Sequence, residues 1–321
     1  MKMKRIAVLT SGGDSPGMNA AVRAVVRTGI FYNLEVFAVE RGFAGLMEGQ
    51  ISPMNQVSVG GIMQRGGTVL KTSRSKKFKT KEGLDIALQK LRKFDIDGLV
   101  TIGGDGTLRG TRDLSALGLK TIGIPATIDN DLPKTDMAIG VDTALNTVID
   151  AIDKIKDTAS SHQRAFVVEV MGRNSGYLAL MSGIAGGVEV ILVPEIPYNL
   201  PEISSKLKEG YQRGKTHCII VIAEGVGKTD EVRNYLEDKI GYETRITILG
   251  YLQRGGSPSA FDRILASRLG AAAVEHLLKG ETSKMVGLIA NKVEATDLEV
   301  VLSQQKTIKQ NLYDLASVLA K

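Results

Sequence analysis

Tryptophan is absent from this 321-residue chain, aromatic residues make up only 5% of it, and cysteine occurs once, at Cys218. A single cysteine excludes an internal disulfide and fits a reducing, cytoplasmic setting. No apolar run approaches the ~20 residues of a membrane span, so no membrane partner is expected. The opening MKMKRIAVLTSGGD is basic and then apolar, as a signal peptide is, but its apolar run is only IAVL and a glycine-rich turn follows at once. It reads as a first strand. Two familiar nucleotide signatures are also missing. No GxGxxG follows a strand. GVGKT at 225–229 is not a phosphate loop, because Ile222 stands where that motif needs its first glycine.

The 41 basic and 35 acidic residues leave a net charge of +6. Basic surfaces often bind nucleic acid. Here the basic residues are scattered, the longest cluster is RSKKFK at 74–79, and few aromatics are available for base stacking. Nucleic acid is therefore not an expected partner. Small phosphorylated anions explain arginines beside glycines better.

Apolar residues make up 43% of the chain, enough for a sizeable core, and the length suggests two domains or one large α/β unit. β-Branched runs alternate with segments of helical period. Strands are expected at 5–10, 34–39, 98–104, 119–125, 164–172, 188–194, 218–225, 244–250 and 285–291. Helices are expected at 17–30, 84–94, 143–160, 175–185, 202–213, 230–240 and 258–279, with one more at the end. This order argues for α/β architecture with mostly parallel sheets covered by helices. Ligands then bind beyond the carboxyl ends of the strands. Glycines or polar clusters stand there, at Gly12, Gly103, Pro125, Gly172, Gly225 and Gly250. A division near residue 140 is expected, where a second strand–glycine–helix series begins.

Several of these turns suit phosphate chemistry. TSGGDSPGMNAA at 10–21 offers backbone N–H groups and a helix start. In GGDGT at 103–107 a carboxylate, Asp105, projects where phosphates would lie. It would repel them unless a cation intervened, so Asp105 is a candidate Mg²⁺ ligand. Arginines recur near strand ends, at 65, 74, 164, 173, 245 and 254. Their planar forks suit phosphate oxygens. PATIDND at 125–131 is harder to explain as a turn. A turn accounts for Asn130, Asp131 and Pro133 but not for Thr127 and Asp129 as well. If a phosphoryl group is held nearby, the accepting hydroxyl needs a base, and Asp129 is the candidate, supported by Asp131.

The stretches TSGGDSPGMNAAVR, GGDGT, TIDND, GVDTALNTVIDAIDKI, RAFVVEVMGRNSGYLAL, AEG, ETRITILG, QRGGSP and FDRILASRLG run in consistent order from residue 5 to about 270. Together they resemble the ATP-dependent 6-phosphofructokinases of bacterial type. The resemblance implies two Rossmann-like three-layer domains: a larger ATP-binding one of 1–140 with 254–303, and a smaller fructose 6-phosphate-binding one of 141–253 with 304–321. It implies a homotetramer that makes fructose 1,6-bisphosphate and ADP in the cytoplasm. Gly13, Arg74, Ser75, Gly104, Asp105, Gly106 and Thr107 would hold ATP, with Asp105 on Mg²⁺. Asp129 would be the base toward the 1-hydroxyl of fructose 6-phosphate. Thr127 and Asp131 would line the transfer site, and Arg173 would stabilise the transferred group. Met171, Gly172, Glu224 and Arg254 would contact the sugar phosphate, and Arg164 and Arg245 would reach its 6-phosphate from a neighbouring subunit.

Some positions bear on the donor and on regulation. In this superfamily a bulkier acidic residue at position 106, or a lysine at 126, goes with pyrophosphate. Gly106 and Ala126 stand there and favour ATP. Tyr251 replaces the histidine usual in LGHxQRGG; it still donates a hydrogen bond but carries no positive charge. An effector site for ADP or phosphoenolpyruvate would use Arg23, Arg27, Lys156, Glu189, Arg213 and Lys215. Lys156 stands for the usual arginine, and Gly61 stands where an acidic residue often helps bind the effector's magnesium. Arg23 and Arg27, four apart on one helix face, are equally explained as solvated charges. A pyrophosphate-dependent phosphofructokinase and a non-catalytic nucleotide sensor on the same fold are the alternatives.

Overall fold

The computed structural model describes residues 3–241 and 243–319. Its strands are β1 Arg5–Thr10, β2 Glu35–Val39, β3 Ile51–Met54, β4 Gly98–Gly103, β5 Lys120–Pro125, β6 Ala165–Val170, β7 Val190–Leu192, β8 Cys218–Ala223, β9 Thr244–Ile248, β10 Lys284–Ile289 and β11 Lys292–Asp297. Its α-helices are α1 Met18–Phe31, α2 Gly42–Glu48, α3 Lys81–Lys93, α4 Asp105–Ala116, α5 Val141–His162, α6 Tyr177–Ala185, α7 Leu200–Gln212, α8 Thr229–Ile240, α9 Ala260–Leu278, α10 Leu298–Ser303 and α11 Gln310–Leu319.

One sheet has the order β11-β10-β5-β4-β1-β2-β3. Its central pairings are parallel, and antiparallel β3 and β11 close its two edges. The β1 run IAVL has no exposed surface because both faces are covered. Side chains alternate across a strand. Ile6 and Val8 therefore join Val22 and Val25 of α1 and Leu265 and Leu269 of α9. Ala7 and Leu9 turn the other way, toward Phe43, Leu88, Leu91 and Leu114 of α2, α3 and α4. A continuous apolar run is what burial on both faces requires.

The second sheet is parallel throughout, in the order β7-β8-β6-β9. Ala165, Val167, Ile220 and Ile222 pack with Leu207 of α7 and Leu236 of α8. Helix α6 lies against β7 and β8.

Five elements were not expected from periodicity, among them the six-residue helix α10. β3 and α2 are short, and β3 carries Pro53, which an edge strand tolerates. β11 is half-exposed and so lacks an apolar run. α4 was hidden by its glycines, Gly106 and Gly110. A Cβ on Gly110 would lie 2.7 Å from Phe78 and 2.8 Å from Phe43. Those rings stack at 3.9 Å, so close packing there outweighs the helix cost of glycine.

Contacts divide the chain into two units: Met1–Ile128, Leu132–Thr143 and Arg254–Gln305; and Asp129–Asp131, Ala144–Gln253 and Lys306–Lys321. Residues 141–143 fall in the first unit, where Asp262 of α9 holds the start of α5. Its buried carboxylate accepts from Gly140 N at 2.8 Å, Thr143 N at 2.8 Å and Thr143 Oγ1 at 2.6 Å. Burial pushes the Asp262 carboxyl upward, and those three bonds oppose it.

Candidate active site

In the first unit, β1, β4 and β5 are parallel neighbours, so the turns after Thr10, Gly103 and Pro125 leave one sheet edge side by side. Ser11 N donates to Ile102 O at 3.0 Å, and the buried Thr107 Oγ1 donates to Ser11 O at 3.0 Å. Gly103 has no room for a side chain, since its Cβ would sit 2.4 Å from both Ser11 O and Thr107 Oγ1. These groups lock the first two glycine turns together. Gly106 differs: a Cβ there would meet nothing within 4 Å, and its φ is not positive. Packing therefore does not require glycine at 106.

Helix α4 starts at Asp105 with no side-chain cap at Gly104; Thr107 N and Leu108 N donate to Gly104 O at 2.9 and 3.1 Å, so the amides of Asp105 and Gly106 are the ones suited to an anion. Asp105 Oδ2 accepts from Arg109 Nε at 3.0 Å, which raises the Arg109 guanidinium further above its ordinary value. Among the described residues, no three His, Cys, Asp or Glu side chains converge to hold a metal. One carboxylate beside an open helix start suits a Mg²⁺ that takes most of its oxygens from phosphates and water. Arg74 is exposed. Ser75 Oγ accepts from Phe78 N at 3.1 Å, which starts the short 3-10 turn Lys77–Lys79. Gly13 lies against the guanidinium of Arg254, with its Cβ position 3.5 Å from Nη1.

The first part of PATIDND, to Ile128, continues the same edge. Ile139 N donates to Pro125 O at 3.0 Å and Thr127 N to Ile139 O at 3.1 Å, so the chain stays extended one bridge beyond β5. Thr127 Cβ is 3.5 Å from the Cβ position of Gly104, which puts it beside the GGDGT turn. Asn130 is buried with φ 49°, a turn conformation that asparagine tolerates. Asp129 and Asp131, on either side of it, are half-buried.

In the second unit the neighbours β8, β6 and β9 end together. Met171, Gly172 and Arg173 follow β6, Glu224 follows β8, and the 3-10 turn Gly250–Arg254 follows β9. Glu224 Oε1 accepts from Gly172 N at 3.2 Å and Arg173 N at 2.6 Å. Arg173 has φ 56°, and its side chain is exposed. Gly225 is needed because a Cβ there would lie 2.4 Å from Arg173 O. Tyr251 is 77% exposed, on the outside of the 3-10 turn.

Arg164 and Arg245, eighty-one residues apart in sequence, converge on one carboxylate. Glu243 Oε2 accepts from Arg164 Nε at 2.6 Å, and Glu243 Oε1 pairs with Arg245 Nη2. Parallel pairing of Ala165 with Thr244 causes the meeting.

Of the six candidate effector residues, Arg23 and Arg27 belong to the first unit and Lys156, Glu189, Arg213 and Lys215 to the second. Arg23 and Arg27 lie on α1, half-buried and exposed. Lys156 donates to Gly186 O and, at 3.3 Å, to Gly187 O. Glu189 accepts from Ile219 N at 2.7 Å and pairs with Lys215 at 3.0 Å. Glu189, Arg213 and Lys215 do share a cavity of about 740 Å³ with Leu207, Cys218 and Tyr313.

Two site residues escaped the sequence reading, Glu243 and Gln253. Glu243 stands two residues before Arg245 within ETR, and Gln253 directly before Arg254 within QRGG.

Residues 5–277 match the family model described as Phosphofructokinase. An ATP-dependent 6-phosphofructokinase from Bacillus pumilus is 55% identical over 318 residues, covering 99% of this chain and all of the relative. The structure of phosphofructokinase from Saccharomyces cerevisiae is similar with a TM-score of 0.89 and 38% identity, over 99% of this chain and 48% of that one. A pyrophosphate-dependent phosphofructokinase from Marinobacter aquaeolei shares the fold, with a TM-score of 0.86 and 24% identity over 99% of this chain and 92% of that one. A match across most of its length, together with glycine turns at the ends of neighbouring parallel strands, means that this chain belongs to the phosphofructokinase family.

Proposed function

We propose that the chain is an ATP-dependent 6-phosphofructokinase, which transfers the γ-phosphoryl group of MgATP to the 1-hydroxyl of fructose 6-phosphate in glycolysis. The observation that carries the donor assignment is Gly106. Neither backbone conformation nor packing requires a glycine there. Open space at the start of α4 is what a nucleotide's phosphates need, and Ala126 likewise adds no lysine charge.

Asp129 takes the proton of the 1-hydroxyl as that oxygen bonds to the γ-phosphorus. The bond from the γ-phosphorus to the β–γ bridging oxygen breaks, and ADP leaves with that oxygen. Asp105 would hold Mg²⁺, which when bound would neutralise charge on the nucleotide's phosphates. Gly13, Arg74, Ser75 and the 104–107 turn receive the nucleotide. Arg173 stabilises charge on the phosphoryl group in transfer, while Thr127 and Asp131 line its path. Met171, Gly172, Glu224, Tyr251 and Arg254 contact the sugar phosphate, and Arg164 and Arg245 bind its 6-phosphate. Arg164 and Arg245 serve a neighbouring subunit's site in a homotetramer. An ADP or phosphoenolpyruvate effector binds through Arg23, Arg27, Lys156, Glu189, Arg213 and Lys215. The single cysteine supports a cytoplasmic location, and no helix among the described residues is long and apolar enough to cross a membrane.

The test is a donor comparison on purified protein, with fructose 6-phosphate and Mg²⁺ given either ATP or pyrophosphate. Fructose 1,6-bisphosphate from ATP alone is the expected result. Product from pyrophosphate would overturn the donor, and no product from either would favour a non-catalytic sensor.

A further inference from the structure

Gln253 has no exposed surface, and both ends of its amide are engaged. Its Oε1 accepts from Met171 N at 3.1 Å, and its Nε2 donates to Gly250 O at 3.1 Å. The reason lies in how the β6–β9 ladder ends. Ala165 N donates to Glu243 O at 3.1 Å, and Leu249 N donates to Glu169 O at 3.1 Å. Continued by two residues, that parallel alternation would carry Met171 N to Leu249 O. Leu249 O is instead taken by Leu252 N at 3.4 Å, where the 3-10 turn Gly250–Arg254 folds back. Met171 N would be an orphaned donor at the strand end, at the cost of an unmade hydrogen bond. The Gln253 side chain replaces the missing carbonyl.

The next two amides, of Gly172 and Arg173, are held by Glu224 Oε1. Every N–H from Met171 to Arg173 is thus fixed by a side chain arriving from a neighbouring strand end. Arg173 sits at φ 56°, where a residue with a Cβ is strained and must be held by its surroundings.

We propose that Gln253 is a positioning residue for phosphoryl transfer: its buried amide ends the β6 ladder at Met171 and thereby sets the left-handed turn that presents Arg173. It touches no reacting atom. Its effect runs through the backbone of Met171 to the Arg173 guanidinium, so it acts on kcat rather than on nucleotide binding. The proposal rests on the phosphofructokinase reading above.

The experiment is steady-state kinetics on the full chain with fructose 6-phosphate and MgATP, for Gln253→Ala, Arg173→Ala and the double variant. Gln253→Ala is expected to lower kcat on the order of 10²-fold, the scale of a 1 Å misplacement, with KM for ATP unchanged. In the Arg173→Ala background the same change should cost less than about threefold, because the group being positioned is gone. Losses that multiply in full would overturn the proposal, as would an unchanged kcat in Gln253→Ala. If the alanine variant fails to fold, Gln253→Glu decides. It keeps the acceptor for Met171 N and should hold kcat within about tenfold of the unaltered chain, whereas a folded Glu variant as slow as Arg173→Ala overturns the proposal. An unaltered chain with no turnover would instead overturn the enzymatic reading on which the proposal rests.

Discussion

Glu224 accepts the backbone N–H of Arg173 at 2.6 Å. The same oxygen accepts Gly172 N at 3.2 Å, so a residue expected to meet the sugar also holds the loop beneath it. A glutamine keeps an oxygen for both amides, and an alanine does not. Glu224→Ala should lower kcat on the order of 10²-fold, while Glu224→Gln stays within about tenfold. Equal losses in the two variants would mean that the carboxylate charge toward the sugar is the main role. Steady-state kinetics with fructose 6-phosphate as the varied substrate separates the two.

Asp129 stands in the half-buried turn beyond Thr127, whose N–H is fixed to Ile139 O at 3.1 Å. In the proposed role of base, it would act on the proton that leaves the 1-hydroxyl. Asp129→Asn should lower kcat by about 10²- to 10⁴-fold while fructose 6-phosphate still binds. Near-normal turnover in the variant would remove Asp129 from the role.

Gly106 has open space where a side chain would go. Gly106→Asp should therefore fold normally, with stability within about 0.5 kcal/mol of the unaltered chain. The added carboxylate at the start of α4 should repel the nucleotide and raise KM for ATP at least about tenfold through like-charge repulsion. A thermal melt and an ATP titration check both halves. A variant with unchanged KM would show that phosphates do not approach this turn.

Glu243 neutralises both Arg164 and Arg245. A phosphate that binds these arginines must displace the carboxylate. Glu243→Gln weakens that competitor and should lower KM for fructose 6-phosphate several-fold, with the gain shrinking at high salt because the pairs are partly exposed. Arg245→Ala should raise the same KM. If neither variant changes it, the pair of arginines does not bind the sugar phosphate.

Most of the parallel strands could be read from the sequence because burial on both faces leaves a local mark. IAVL in β1 and CIIVIA in β8 are continuous apolar runs for that reason. The strand ends were equally legible, since Gly103 leaves no space for a Cβ and PATIDND carries more polar groups than a turn uses. Helix α4 was not legible. Gly110 breaks its helical pattern to admit the stacked Phe43 and Phe78 rings, and those residues are remote in sequence.

By itself the sequence determined the α/β alternation, the glycine turns at strand ends and the residue types able to handle a phosphate, because each depends on local period or local chemistry. Only the tertiary structure decided that β9 returns to lie beside β6 and that β10 pairs with β5. From that register follow the meeting of Arg164 with Arg245 at Glu243 and the loan of the Gln253 amide to Met171. A hydrogen-bond partner eighty residues away is chosen by where two strands come to rest against each other, and no short-range pattern in either strand encodes that choice.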